Sequence, residues 1–286
     1  MTTNKGRSRM ILKLMSISVG RWYDNRKRKA IIEKRGPKVK HSDVEVLSKL
    51  KTYLSDPVFY NEGYKKLAVR LREMGCYVGK ERLRRIMKEQ GLLLNGFNRE
   101  RVSPYEHTGT IVTDRPNEMW GSDIKEFQLL HGALYFISLK DHYHGKIVGH
   151  YVSEDKTSQS TIEALRQAIK NEFGSVSQGV CSGMDFQIRQ DNGSQYVGKE
   201  YKAEAKFLGV SLSNTMIRSP QSNGVIERFH RTMNEQLGIL NKQTSFEASK
   251  EILNEFVNKY NDKWLYHKNK LKSPLSVELL TTGNLS

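Results

Sequence analysis

Three acidic residues lie in short strings whose composition and spacing suit a catalytic site. Asp123 stands in MWGSDIKEF, Asp191 in IRQDNGSQY and Glu227 in SPQSNGVIERFH, and 35 residues separate the last two. Carboxylate oxygens are ligands that Mg²⁺ and Mn²⁺ prefer. Two such ions about 3.5–4 Å apart activate an attacking oxygen and stabilise a leaving one in phosphoryl transfer. The chain has 31 acidic residues, so the strings around the carboxylates carry the argument.

The local patterns place the three carboxylates on different elements. Asp123 falls within a predicted strand, and Asp191 falls at the end of a later one. Apolar spacing predicts a helix from about Asn223 to Leu240, with Glu227 in its first turns. Two strands would then hold two carboxylates rigidly, and a helix across the sheet edge would bring the third. Asp191 precedes Asn-Gly, so an ordinary turn residue is the alternative there.

The rest of this region predicts an α/β fold. Strands are expected at about 119–130, 133–141, 146–154, 185–191 and 210–215, and helices at about 157–173, 199–209 and 246–260. Three consecutive strands followed by alternating helices and strands predict a mixed sheet with helices on its faces.

The positive charge is concentrated in the first part of the chain. Of a net charge of +16, residues 1–110 hold 26 Lys plus Arg against 11 Asp plus Glu, whereas residues 111–286 hold 21 against 20. A basic module attached to a near-neutral one predicts that the first binds a polyanion. A solvated surface that only favours solubility is the alternative.

Three short amphipathic patterns in the basic part predict a helix-turn-helix. They run over about 44–54, from about 63 onwards and over 79–92, with glycine-containing turns between them. The third is the most basic and would be the recognition helix. The side chains expected to contact DNA are Lys65, Lys66, Arg82, Arg84, Arg85 and Lys88. A small basic helical bundle that binds no DNA is the alternative.

The chain divides into four expected segments: a basic N-terminal helical segment (1–35), the helix-turn-helix (36–95), a linker rich in turn formers (96–116) and a catalytic core with C-terminal helices (117–286). The N-terminal apolar patch is interrupted by Lys13, which favours a short amphipathic helix over a signal peptide. No apolar run reaches about 18 residues, so no membrane span is expected. The only cysteines, Cys76 and Cys181, suit a reducing cytoplasmic interior.

The strings around the carboxylates resemble the integrase core of the DDE transposases. PNEMWGSD, RQDNGSQY and SPQSNGVIERFHRTMNEQ carry the resemblance together with the 35-residue interval. They are most similar to the second-reading-frame transposases of the insertion-sequence-three family, relatives of retroviral integrases. The upstream string VFYNEGYKKLAVRLREMGCYVGKERLRRIMKEQGL resembles the helix-turn-helix that precedes this core. The resemblance spans about residues 36–275.

This resemblance implies a ribonuclease H-like fold and a DNA transposase that cuts and joins strands at the ends of its own element. Asp123, Asp191 and Glu227 would be the catalytic residues and would bind two Mg²⁺ or Mn²⁺ ions. Water would nick the element end, and the freed 3′-hydroxyl would attack another phosphodiester without a covalent protein–DNA intermediate. Trp120 would pack under the first strand.

The resemblance also implies DNA contacts and partners. Asn223, Arg228 and Arg231 would contact the element end beside Glu227, while residues 193–196 either approach DNA or only shape a turn. The partners would be double-stranded DNA, as terminal repeats and as target, and further copies of the chain assembled on it at the bacterial nucleoid. The first-frame product of the same element is a further candidate partner.

Some positions depart from the family pattern. A small hydroxyl residue usually lies two positions after the first Asp, and here it is Lys125; a basic residue usually lies seven positions after the Glu, and here it is Asn234. Arg231 shares the helical face of Glu227 and is a candidate substitute. The C-terminal string YNDKWLYHK lacks the family's Arg-Pro but keeps Tyr260, Asn261 and His267. A catalytically decayed, transposase-derived DNA-binding protein is therefore the alternative function.

Overall fold

The computed structural model describes residues 4–20, 39–56, 61–94, 112–214, 224–237, 240 and 245–283. The chain forms two compact units, Met1–Ser42 and Asp43–Ser286. The first contains helix α1 (Asn4–Leu14), in line with the helix expected near the N-terminus. Most of the expected linker lies outside the described residues. No helix in the described ranges is both long and apolar enough to cross a membrane.

The second unit begins with the three short helices expected from the sequence. They are α2 (Asp43–Leu54), α3 (Tyr64–Glu73) and α4 (Lys80–Glu89). Their apolar faces form a small core that includes Val46, Leu50, Leu67, Leu71, Leu83 and Ile86. Gly75 ends α3 with a φ of 74°, a left-handed conformation that glycine adopts without strain. The turn brings α4 across the other two helices.

A five-stranded mixed sheet forms the centre of the unit. Its strands are β1 (Met119–Leu129), β2 (Gly132–Asp141), β3 (Ile147–Ser153), β4 (Gln187–Gln190) and β5 (Ser211–Asn214). Their order is β3-β2-β1-β4-β5. The first three strands are antiparallel neighbours, whereas β4 runs parallel to β1 and β5 parallel to β4. The expectation of a mixed sheet with flanking helices is confirmed.

Helices cover both faces of this sheet. They are α5 (Ser158–Phe173), α6 (Ser194–Val197), α7 (Lys199–Leu208), α8 (Gly224–Gln236), α9 (Phe246–Lys263) and α10 (Pro274–Gly283). The apolar side chains of α5 and α7 pack with Trp120 and Leu139 on one face. Those of α8 and α9 pack with Phe127 and Phe136 on the other. Helices α6 and α10 were not expected from the sequence.

The three short helices are attached to the α8–α9 side of the core. Arg70 of α3 donates a hydrogen bond to the backbone carbonyl of Lys263 at the end of α9 and pairs with the buried Glu62. Tyr53 also donates to Glu62, at 3.0 Å. Breaking a buried ion pair by removing one partner typically costs about 3–5 kcal/mol. The three short helices and the sheet therefore belong to one compact unit.

The closest approach between β3 and α5 generates a stability prediction. A methyl group added to Gly149 would stand 2.5 Å from Cβ of Ala168 and 2.6 Å from its backbone nitrogen. We expect Gly149→Ala to lower the free energy of unfolding by about 1–3 kcal/mol, because overpacked sites must shift backbone. Urea denaturation measures the loss. The matched control is Gly224→Ala at the first residue of α8, since a methyl group there meets nothing within 4 Å, and an equal loss in both variants would contradict the prediction.

Candidate active site

Asp123 lies near the middle of β1, on the sheet face that α8 covers. It stands opposite Ser138 of β2 in the antiparallel register. One carboxylate oxygen accepts a hydrogen bond from the Ile124 N–H at 2.8 Å, and the other lies 3.3 Å from Nδ1 of His230 on α8. The side chain is a quarter exposed. Asp123 is thus held on two sides yet open to solvent.

The sheet register brings Asp191 beside Asp123. Gly121 of β1 is paired with Arg189 of the parallel strand β4. Asp123 lies two residues after Gly121, and Asp191 lies two residues after Arg189. Because parallel strands advance together, the two carboxylates emerge side by side at this edge. Asp191 lies just beyond β4, where its Oδ1 accepts the Gly193 N–H at 2.9 Å. Asp191 is therefore a turn residue in this structure, and the same residue is the one proposed to bind metal.

A buried tyrosine contacts Ser122, the residue before Asp123. Tyr196 is fully buried, and its hydroxyl lies 2.9 Å from Oγ of Ser122. Its pKa is raised well above the usual value, first by burial and then by the neighbouring Tyr201. The negative charges of Asp123 and Asp191 raise it by smaller amounts. Tyr196 packs in the core. Of the two roles expected for residues 193–196, this side chain has the structural one.

Glu227 lies in the first turn of α8, on the helix expected from the sequence. Its pKa is raised from the ordinary value, first by partial burial and then by the negative charge of Asp123, while His230 opposes the shift. A nearby carboxylate disfavours the charged form of another. The role of Glu227 as a site residue stays a prediction.

His230 joins the helix to the sheet and was missed by the sequence analysis. Its Nδ1 lies 3.3 Å from Asp123 Oδ2, and its Nε2 lies 3.2 Å from Oγ of Ser138. A neutral ring protonated on Nδ1 satisfies both neighbours, since it donates to the carboxylate and accepts from the hydroxyl. The spacing of three residues after Glu227 places both side chains on one helical face. That spacing is the sequence signal that identifies it.

The three carboxylates have the donor chemistry of a Mg²⁺ or Mn²⁺ site. They supply hard anionic oxygens, and the mutual repulsion of Asp123 and Glu227 is the kind that a bound cation relieves. In the described part of the chain, no group of three His, Cys, Asp or Glu side chains is close enough to enclose an ion. In this conformation Asp191 is engaged with its own turn. The residues present therefore fit divalent cations by the chemical type of their donors.

The basic residues of α4 divide into two groups. Arg82 and Arg85 bind the carboxylate of Asp43 at the start of α2, with an Nε–Oδ1 distance of 2.8 Å for Arg82 and an Nη2–Oδ2 distance of 2.7 Å for Arg85. These contacts hold the pKa of Asp43 below its usual value. Arg84 and Lys88 are exposed. The first pair positions α4, and the second pair is available at its surface.

The remaining predicted contact residues lie in different places. Lys65 is exposed on α3, whereas Lys66 turns inward, with its ammonium 3.1 Å from the ring centroid of Trp264. Arg228 is exposed directly after Glu227. Arg231 forms an ion pair with Glu235 at 2.9 Å. The predicted contact residue Asn223 lies outside the described residues.

Three residues named in the comparison with the family pattern, Trp120, Tyr260 and Asn261, have structural contacts. Trp120 is fully buried and packs edge-on against Phe186 at 4.5 Å, as expected. Asn261 forms two hydrogen bonds with the backbone of Ile147, one donated at 2.9 Å and one accepted at 2.8 Å. Tyr260 is buried and accepts a hydrogen bond from Lys140 at 2.9 Å. The C-terminal string thus attaches α9 to β2 and β3.

The two positions that depart from the family pattern lie at different distances from the sheet. Lys125 follows Asp123 on the same strand face, with its ammonium 5.7 Å from the ring centroid of Phe127. Asn234 is exposed on α8. Neither side chain replaces one of the three carboxylates. Lys125 adds a positive charge on the Asp123 face, and Asn234 leaves its helical position uncharged.

Family models and curated proteins match most of the second unit. Two family models, both described as the integrase core domain, match residues 113–220 and 208–264. The chain is similar to the transposase InsD for insertion element IS2A/D/F/H/I/K of Escherichia coli, at 26% identity over 241 residues, covering 81% of this chain and 77% of that protein. The InsD transposase of IS2D from strain K12 matches equally well.

Similar solved structures include an integrase catalytic core and an intasome. The HTLV-2 integrase catalytic core domain in complex with magnesium has 18% identity and a TM-score of 0.42, covering 56% of this chain and 95% of that one. The simian T-cell lymphotropic virus intasome in complex with PP2A regulatory subunit B56 gamma has 18% identity and a TM-score of 0.47, covering 77% and 73%.

The matches to integrase core models and to InsD identify the protein class. The chain belongs to the DDE transposases of the integrase superfamily. The resemblance stated from the sequence is confirmed, and so is the fold class: a ribonuclease H-like α/β sheet with flanking helices, preceded by a small helical region.

The contact of His230 with Asp123 generates a prediction. We expect His230→Ala to lower metal-dependent nicking of a labelled terminal-repeat duplex by about 10–100-fold, because residues that orient a metal ligand typically matter to this extent. Binding of the duplex should be unchanged. The control is His150→Ala, a histidine on β3 that contacts Asn254 at 2.8 Å. Equal nicking by both variants would show that His230 has no positioning role.

Proposed function

We propose that this protein is a DNA transposase that binds the terminal repeats of its mobile element and catalyses metal-dependent strand cleavage and strand transfer. One observation carries the proposal. Asp123 lies in β1, Asp191 follows the adjacent parallel strand β4 in matching register, and the charge of Asp123 helps to raise the pKa of Glu227 on α8. Three carboxylates on rigid elements are the protein's contribution to a two-metal phosphoryl-transfer site.

The residues of the chain have separate tasks in this proposal. Asp123, Asp191 and Glu227 would hold two Mg²⁺ or Mn²⁺ ions, which when bound supply Lewis-acid activation of the attacking and leaving oxygens. His230 keeps the Asp123 carboxylate directed towards the helix. Ser138 fixes the opposite side of the His230 ring. Lys125 places a positive charge on the same strand face, where the phosphate backbone would approach.

The helix-turn-helix would recognise the terminal repeat. In α4, Arg82 and Arg85 fix the helix against Asp43, and the exposed Arg84 and Lys88 are the residues proposed to contact DNA. Lysine and arginine at phosphates release counterions, which makes such binding depend on salt. Further copies of the chain would assemble on the DNA, and the first-frame product of the element is the remaining proposed partner.

A decayed DNA-binding protein remains the second candidate. Lys125 and Asn234 favour it because they replace residues usual in the family. The intact set of three carboxylates and the contact from His230 to Asp123 favour an active enzyme. The two candidates differ in one property, namely metal-dependent cleavage of bound DNA.

Replacing the carboxylates tests this property. We expect Asp123→Asn, Asp191→Asn and Glu227→Gln each to abolish Mg²⁺-dependent nicking and strand transfer on labelled terminal repeats, while repeat binding is retained. The matched control is Asp185→Asn, because this exposed aspartate pairs only at the surface with Arg115. Repeat binding by the unaltered protein without any nicking would favour the decayed protein.

The positive charge of α4 generates a second test. Deleting the basic residues 1–110 would also expose the core surface that Arg70 and Glu62 cover, so substitutions in the full chain test the charge without removing this packing. We expect Arg84→Ala with Lys88→Ala to weaken repeat binding and to reduce the slope of log K against log salt by up to about 2. The control pair is Lys202→Ala with Lys206→Ala, exposed on α7. An unchanged slope in the α4 variant would remove α4 from the binding surface.

A further inference from the structure

A small basic cavity lies beside the candidate active site. It has a volume of about 190 Å³ and is bounded by α3, β2, α8 and the end of α9. Three basic side chains line it: Lys66 of α3, Lys140 of β2 and Arg228 of α8. Arg228 immediately follows Glu227, so one wall of the cavity is the helix that carries the third carboxylate.

Lys140 is an unusual residue in this cavity because its positive charge is buried. It is 1% exposed, and its ammonium donates to the Tyr260 hydroxyl at 2.9 Å and to the Val225 carbonyl at 3.5 Å. In the described ranges it forms no ion pair with a carboxylate. The charged groups that act on it are Arg228 and Lys268, both positive. A buried charge is normally paired, and here the described residues supply no carboxylate partner.

The electrostatic cost of this arrangement is visible in the pKa values. Burial, then the positive charges of Arg228 and Lys268, lower the pKa of Lys140 to about 7. Burial is also the main cause that lowers the pKa of Lys66 to about 7, although the charges of Glu62 and Glu235 oppose it. An anion in the cavity would restore both charges. The cavity is therefore suited to a negatively charged ligand.

The size and the walls of the cavity limit which anion it takes. The rings of Phe229, Tyr260 and Tyr266 each lie 5.2 Å from the Lys140 ammonium. Phe229 and Tyr260 are buried, which prevents a base from stacking on them. Pockets for whole drug-sized ligands are usually about 300–1,000 Å³, larger than this one. A single phosphate group with a few waters suits the volume and the donors.

We propose that this cavity binds one backbone phosphate of the DNA strand held at the active site, with Lys140, Lys66 and Arg228 as its donors. This proposal rests on the proposed function and extends it to a specific contact. The helix-turn-helix contributes Lys66, and α8 contributes Arg228. A phosphate bound between them would join the recognition region and the catalytic helix to the same strand.

The first experiment uses inorganic phosphate as the probe and requires no catalysis. Thermal unfolding of the full chain is measured in phosphate and in chloride at equal ionic strength. We expect phosphate to raise the Tm of the unaltered protein more than that of Lys140→Met, because a ligand stabilises only the state that binds it. General salt effects act on both proteins and cancel. In chloride, Lys140→Met should be at least as stable as the unaltered protein, since it removes an unpaired buried charge.

The second experiment locates the phosphate on DNA. Terminal-repeat duplexes carry one neutral methylphosphonate at successive positions near the cleaved end, and binding is measured in the Asp191→Asn background, which prevents cleavage. At one position the neutral linkage should weaken binding about 10-fold, the usual size of a hydrogen bond to a charged group. Adding Lys140→Met or Arg228→Gln should remove that sensitivity. Lys206→Met on α7 is the control and should retain it.

The outcomes separate this proposal from the proposed function. A phosphate effect on Tm together with a coupled methylphosphonate position supports it. A phosphate effect without any coupled position assigns the cavity to free anions and overturns it. Equal phosphate effects on the unaltered protein and Lys140→Met, or a loss of stability of Lys140→Met in chloride, overturn it as well. Loss of the proposed function would instead appear as absent nicking in the unaltered protein.

Discussion

The packing of α8 across the sheet is the interaction on which the rest of the structure depends. Phe229 and Met233 anchor its inner face in the core beneath β1 and β2. The same anchoring directs Glu227 to Asp123 and brings His230 between Asp123 and Ser138. A helix displaced by a fraction of a turn would lose these contacts together. The apolar core thus determines the geometry of the polar site.

The sheet positions Asp123 and Asp191 through its backbone pairing, which does not depend on side-chain contacts. Asp123 and Asp191 are neighbours because β1 and β4 run parallel and Gly121 meets Arg189. Backbone hydrogen bonds of the sheet hold β1 and β4 in this register. The proposed site therefore combines Asp123 within β1 and Asp191 just beyond β4 with Glu227, which helix packing places. Of the three, Glu227 depends most on the surrounding core.

The sequence was sufficient for the elements and insufficient for the contacts between them. Periodicity located β1 and α8 to within a few residues, because each has a clear apolar pattern. The strings around Asp123, Asp191 and Glu227 identified the family. Neither pattern shows that the Lys66 ammonium packs over the Trp264 ring or that Lys140 is buried with no carboxylate among the described residues to pair with it. Such properties arise from residues far apart in the chain, and only the tertiary structure brings them together.

The attachment of the three short helices to α8 has a geometric consequence. The side-chain amide of Gln236 accepts the Asn61 N–H at 3.3 Å and donates to the Asn61 carbonyl at 3.0 Å, so the segment between α2 and α3 is hydrogen-bonded to the helix that carries Glu227. If α4 recognises the terminal repeat as proposed, this joint sets the distance along the duplex between the recognised sequence and the cut. Each base pair inserted between them would turn the scissile bond by about a tenth of a helical turn.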